Sequence, residues 1–200
     1  MRTVHIARTW ILTFALATVS CGSVVRDGTG TSFLIVNRLE AASGAEPNQF
    51  AGALFSDVST VVDDRATVYA DMGRVEFQLG LKDPGTAANP NQPSQNQFIT
   101  VDRYRVRYVR ADGRNTQGID VPYGFDGSFT ATVGEGVFQV PFTLVRHVAK
   151  EEAPLAALSV NGVIISTLAE ITFYGRDQTG RETSATATIS VDFGNFADPN

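Results

Sequence analysis

The chain has 200 residues, 43% of them apolar and 18% charged, with one cysteine, two histidines and a net charge of −5. A single cysteine excludes an internal disulfide, and so many apolar residues with so little charge exclude a wholly disordered chain. The acidic balance argues against a nucleic-acid binder, whose domain is normally basic, and two histidines starve most metal and acid–base sites.

The first element is a targeting segment. Residues Met1 to Arg8 carry Arg2 and Arg8 and no acid, and an apolar run from Thr9 to Ser20 (TWILTFALATVS) follows. This is a basic n-region and an apolar h-region of signal-peptide length, shorter than the roughly 20 apolar residues of a membrane-spanning helix. The sole cysteine, Cys21, stands at the expected cleavage point, after small Ser20 and before Gly22 and Ser23.

In these residues the chain resembles a bacterial lipoprotein precursor. Val19 and Ser20 match the aliphatic and small positions before the lipidated cysteine, and Thr18 stands where that family prefers Leu. The resemblance covers about the first 23 residues. It implies transfer of diacylglycerol to the Cys21 thiol, cleavage before Cys21 and N-acylation, and the rest of the sequence predicts no further cofactor. It also implies sorting to the outer membrane, since Gly22 is not Asp. Two or more acyl chains, at roughly 0.8 kcal/mol per buried CH₂, hold a protein stably on a bilayer where one does not. The alternative is a plain secretory signal with a chance cysteine nearby.

Cleavage removes Arg2 and Arg8 and no acid, so the 16 basic residues fall by two against 21 acids and the net charge moves from −5 to −7. The expected organisation is a signal peptide over 1–20, the lipidated Cys21 with a Gly-rich tether over 21–31, one β domain over 32–197, and a tail over 198–200.

From Ser32 onward the dominant period is two. Phe33, Ile35 and Leu39 predict a first strand with these side chains inward. Residues 53–55 and 67–70 predict two weaker strands. Val75, Phe77, Leu79 and Leu81 alternate with Arg74, Glu76, Gln78 and Lys82 in a half-buried strand. Residues 83–97 read as a polar loop with three prolines. A long strand over 98–110 turns at Ala111–Arg114, and 115–126 is irregular. Two strands, 128–133 and 137–147, flank Gly134–Gly136, and Glu151–Leu158 allows one or two helical turns. Strands 164–174 and 183–193 form a closing hairpin. No amphipathic helix of globular length appears.

About eight or nine strands without βα alternation predict an all-β, antiparallel β-sandwich, immunoglobulin-like or related, with no substantial helix after the signal. The closing hairpin, with Ile171–Asp177, Gly180 and the alternating strand after them, resembles that of bacterial immunoglobulin-like extracellular modules over about 25 residues.

Candidate site residues lie on one strand and one loop. In ITVDRYRVRYVR (Ile99–Arg110) the alternation puts Tyr104, Val106 and Tyr108 on one face and Arg103, Arg105 and Arg107 on the other. Such a row of forked donors could grip an acidic glycan or protein. It could equally be a solvated face paired with acids such as Glu76 or Glu170. Tyr123 and Phe125 could stack on a ligand or cap the open end of the sandwich.

Asp63, Asp64, Asp112, Asp126 and Asp177 sit in turn contexts. None lies in a calcium-loop pattern, though scattered turn acids could assemble a calcium site. His147 stands alone, without the G-x-S-x-G setting of a nucleophile, and reads as a strand-end residue. The residues therefore predict a lipid-anchored, non-catalytic β-sandwich at the bacterial envelope that binds or scaffolds a protein partner. A glycan- or surface-binding adhesin-like module is the first alternative, a hydrolase the second.

Overall fold

The structure is a computed structural model that describes residues 30–196, so Cys21 and the expected signal lie outside the described residues. In chain order the strands are β1 (Ser32–Ala42), β2 (Ala53–Asp57), β3 (Thr60–Val62), β4 (Arg65–Thr67), β5 (Asp71–Leu81), β6 (Gly85–Thr86), β7 (Asn89–Pro90), β8 (Ile99–Val109), β9 (Phe125–Val133) and β10 (Val137–Val145). The short helix α1 (His147–Glu151) follows, then β11 (Ile165–Asp177) and β12 (Glu182–Gly194). Single 3₁₀ segments cover Gln95–Gln97 and Leu155–Val160.

Two sheets make the body, an all-β sandwich. One has three strands in the order β1-β5-β10 and the other five in the order β2-β12-β11-β8-β9. Pairing is antiparallel except between β12 and β2, which run parallel. Alternation decides which face each strand buries. Tyr104, Val106 and Tyr108 of β8 turn inward with Ile171 and Phe173 of β11 and Ile189, Val191 and Phe193 of β12. They meet Val75 and Phe77 of β5 and Phe142 and Leu144 of β10. Two hydroxyls also bridge the sheets: Tyr108 donates to the Leu144 carbonyl at 2.7 Å and Tyr104 to the Thr143 carbonyl at 3.1 Å. A buried phenol needs such a partner.

The closing hairpin forms as the alternation predicts, β11 against β12 from Ile165↔Phe193 to Arg176↔Glu182. Elsewhere the structure differs from the sequence reading in instructive ways. Twelve strands form among the described residues, because the polar segment 83–97 holds the β6–β7 pair and the region before β5 folds as a β3–β4 hairpin. Of residues 67–70 only Thr67 is in a strand. The two-residue turn of that hairpin puts Asp63 and Asp64 at φ 50° and 59°, the left-handed region that hairpin turns need and Asp tolerates.

In β1 the inward phase is the opposite of the expected one at its start. Leu34 is buried, while Phe33 and Ile35 are only half-buried, and Phe33 lies over Gly80. The pairing with β5 shifts between Val36 and Arg38. That bulge inserts one residue and reverses the phase, which is how Leu39 still packs against the core.

The long strand and the turn at Ala111–Arg114 form, yet the chain returns to pair with β8 only at β9, whose Phe125 lies opposite Val106. Gly134–Gly136 does not close a hairpin. β9 pairs with β8 and β10 with β5, so this link carries the chain from one sheet to the other.

Candidate functional site

The three arginines of β8 face outward as the alternation requires, and each is engaged. The Arg103 guanidinium lies 4.2 Å from the Tyr174 ring centroid, an approach that the ring's electron-rich face favours. Arg105 donates through Nε and Nη2 to the two Asp126 oxygens at 2.9 and 3.0 Å. Arg107 Nε donates to Glu170 Oε2 at 3.0 Å. Sheet register sets these partners: Arg103 pairs with Tyr174 and Arg107 with Glu170 on β11, and Arg105 with Asp126 on β9. Of the two acids expected opposite the row, Glu170 is there. Glu76 is not, because it belongs to the other sheet, where Gln139 donates to it at 3.2 Å.

The fork on Asp126 holds its carboxyl below the usual carboxylate range, and the same pair raises Arg105. A carboxylate whose pKa is depressed on folding stabilises the fold above its ordinary value and loses that contribution as the pH falls. In an Arg105→Ala variant the Asp126 carboxyl should titrate at a higher pH than in the parent chain, read by carboxyl-carbon NMR. A titration that stays depressed would mean that Arg105 does not hold it.

Tyr123 and Phe125 have different surroundings. Phe125 turns toward the core, edge-on to Tyr104 at 6.2 Å, with the Arg146 guanidinium 4.7 Å from its ring. It is only partly buried there. Tyr123 is half exposed and lies over Gly118.

The loop between β8 and β9 is held by its own side chains. Asp112 clamps both Arg110 and Arg114, and these contacts push its carboxyl well below the usual range. Gln117 accepts from the Gly124 amide at 3.0 Å. Between this loop and the arginine row runs a cleft of about 270 Å³ lined by Arg105, Arg107, Gln117, Gly124, Phe125 and Asp126.

Asp177 is consumed locally, accepting from the Thr179 amide and hydroxyl and from the Arg181 amide. Among the described residues no three His, Cys, Asp or Glu come together as a metal cluster. His147 is exposed at the start of α1.

Sequence reasoning missed the most heavily buried charges in the described structure. Lys150 of α1 donates through Nζ to Asp71 Oδ1 and to the Asp57 carbonyl, both at 2.8 Å, with the paired side chains 1% and 0% exposed. Asp71, at the start of β5, also accepts from the Gly44 amide at 2.8 Å and, through Oδ2, from Ser56 Oγ at 2.6 Å. Burial raises the Asp71 carboxyl, and Lys150, Ser56 and Gly44 pull it back. This network pins α1 over one end of the sandwich. In the sequence Lys150 stands in an HVAKEE run that looks solvated, and its partner lies 79 positions away. The one local signal is the apolar pair Val148 and Ala149 beside it.

No helix of the described residues is long and apolar enough to cross a membrane. No family model matches the chain, and neither a curated protein nor a solved structure matches it significantly.

Proposed function

We propose that the chain is a lipid-anchored protein of the bacterial cell envelope, held at the outer membrane by acyl chains on Cys21, whose β-sandwich binds or scaffolds a protein partner and is not a catalyst. The observation that carries this reading is the sole cysteine, set directly after a basic and then apolar leader of signal-peptide length. The fold suits such an attachment. The chain enters the sandwich at one end, where the Lys82 amide donates to the Thr31 carbonyl and Gln97 Nε2 donates to Thr31 Oγ1 at 3.2 Å. A tether there leaves the broad outer face of the five-stranded sheet free to meet a partner. The arginine row, already matched to Tyr174, Asp126 and Glu170, reads as part of that ordered face rather than as a waiting anion site.

Two acyl chains are needed for lasting membrane attachment, so the anchor has a direct test. Full-length protein expressed in a bacterial host should take up labelled palmitate and sediment with membranes, whereas Cys21→Ala should do neither. Palmitate labelling that survives Cys21→Ala would overturn the anchor, and a membrane-free wild type would overturn the localisation.

A further inference from the structure

The outer face of the five-stranded sheet is polar along most of its length and apolar at one end. Toward Asp177 it carries Arg103, Arg105 and Tyr174 with a hydroxyl ladder in which Thr172 and Thr186 share a hydrogen bond at 2.9 Å. At the opposite end sit Phe55, Ile164 and Leu168, which are 61%, 54% and 47% exposed.

Register places these side chains around one polar centre. Phe55 of β2 lies opposite Asp192 of β12, which lies opposite Ser166 of β11. One row on, Ala53 lies opposite Ser190, which lies opposite Leu168. Phe55 also stacks edge-on with Phe196 at 5.8 Å, and Phe196 and Ile164 both lie against Gly194.

Asp192 sits in the middle of this surface. It is partly buried, and none of the ion pairs or side-chain hydrogen bonds among the described residues engages its carboxylate. The arginines of the same face each have a partner; this carboxylate does not. An exposed apolar patch of this kind marks an interaction surface more often than chance exposure does. Its direct neighbours on this face are Phe55 and Ser166 across the strands and Ser190 and Gly194 along its own, with Leu168 and Ile164 beyond them. A lone charge with apolar side chains close by also matches the centre of a protein interface, where a desolvated Arg and its counter-charge supply specificity.

The patch is at the far end from the tether. β11 spans 13 residues between the two ends, about 40 Å at roughly 3.3 Å per residue. A partner held there would sit well clear of the anchored surface.

We infer that the Phe55–Leu168–Ile164 surface around Asp192 is the docking site for a protein partner that presents a basic side chain, arginine by preference, within an apolar ring. The inference rests on the protein-binding reading above. It is tested in the full-length, anchored chain by placing the photo-crosslinker p-benzoylphenylalanine, one position at a time, at 55 and 168, and at 103, 123 and 186 for comparison.

The expected result is a discrete adduct with a different protein from 55 and 168 and none from 186. Asp192→Lys should cut that adduct by about tenfold or more, the scale of losing a charge pair at an interface centre. The melting temperature should change little in that variant, since the Asp192 carboxylate has no partner to lose. An adduct from 55 that Asp192→Lys leaves intact overturns the inference, as does an adduct of twice the chain's own mass, which would mean self-association. Adducts from 103 or 123 alone overturn this surface but keep the protein-binding reading. No adduct from any position overturns both.

Discussion

Replacing Asp71 by Ala lowers the unfolding free energy by about 3–5 kcal/mol, the scale for breaking a buried ion pair from one side. The size comes from what is left behind. Lys150 keeps its hydrogen bond to the Asp57 carbonyl, yet its ammonium then stays in the core without a counter-charge, and the Ser56 hydroxyl and the Gly44 amide lose their acceptor. Burying unmatched polar groups is costly, and an unmatched charge more so.

The reverse single change behaves differently, and its pH dependence has a definite sign. In Lys150→Met the carboxyl loses the ammonium, the strongest of the groups that pulled it down, and keeps only Ser56 and Gly44, while burial, the largest influence on it, continues to push it up. The folded state then holds a proton that the unfolded state releases above about pH 4. The stability loss of Lys150→Met is therefore small in acid and grows as the pH rises through and beyond that value. A double Asp71→Leu, Lys150→Met variant removes both charges and recovers much of the loss at every pH, since a buried pair is often no better than an apolar replacement. Urea unfolding followed by far-UV circular dichroism between pH 4 and 8 separates the three variants. An Asp71→Ala loss below about 1 kcal/mol, the range of exposed ion pairs, would show that this pair is not the buried staple described.

This network marks the boundary of what the sequence discloses. Alternation is readable wherever a strand has one wet and one dry face, so β8, β11 and β12 and the outward placement of Arg103, Arg105 and Arg107 follow from residue order alone. Cross-strand partners are another matter, because they depend on register. Glu170 was one of two acids expected beside the arginines and meets Arg107. Asp126 looked like a turn acid beside Gly127, although register sets it opposite Arg105.

The bulge between Val36 and Arg38 is set by pairing with β5 and has no signature in the residues of β1, so residue order alone points to the wrong inward side chains at its start. Gly134–Gly136 shows a third kind of limit. The same glycine-rich link serves a hairpin or a crossing between sheets, and only the partners of β9 and β10 distinguish the two. The Asp71–Lys150 pair combines these difficulties, joining two charges far apart in the chain by a contact that exists only after α1 folds over the sandwich end.

Phe173→Ala is expected to be the most damaging apolar truncation, with a loss of about 3–5 kcal/mol. Phe173 is completely buried at the middle of β11. Its ring stands edge-on to Phe77 of β5 at 5.0 Å and 88°, and to Phe142 of β10 at 5.5 Å and 90°. Tyr104 of β8 and Phe129 of β9 flank it from its own sheet at 6.4 and 6.3 Å. It is thus the ring through which the five-stranded sheet grips both of these strands of the three-stranded one. Truncation removes the transfer free energy and leaves a cavity lined by rings held on separate strands, which cannot close without moving a sheet.

Two comparisons isolate that cause. Phe55→Ala removes the same ring from an exposed site and should cost far less. A Phe77→Ala, Phe173→Ala cycle should show a coupling of about 0.5–1.5 kcal/mol, the value of an aromatic pair beyond its buried area. Equal losses for Phe173→Ala and Phe55→Ala, with no coupling in the cycle, would mean that the two sheets are not joined through this ring.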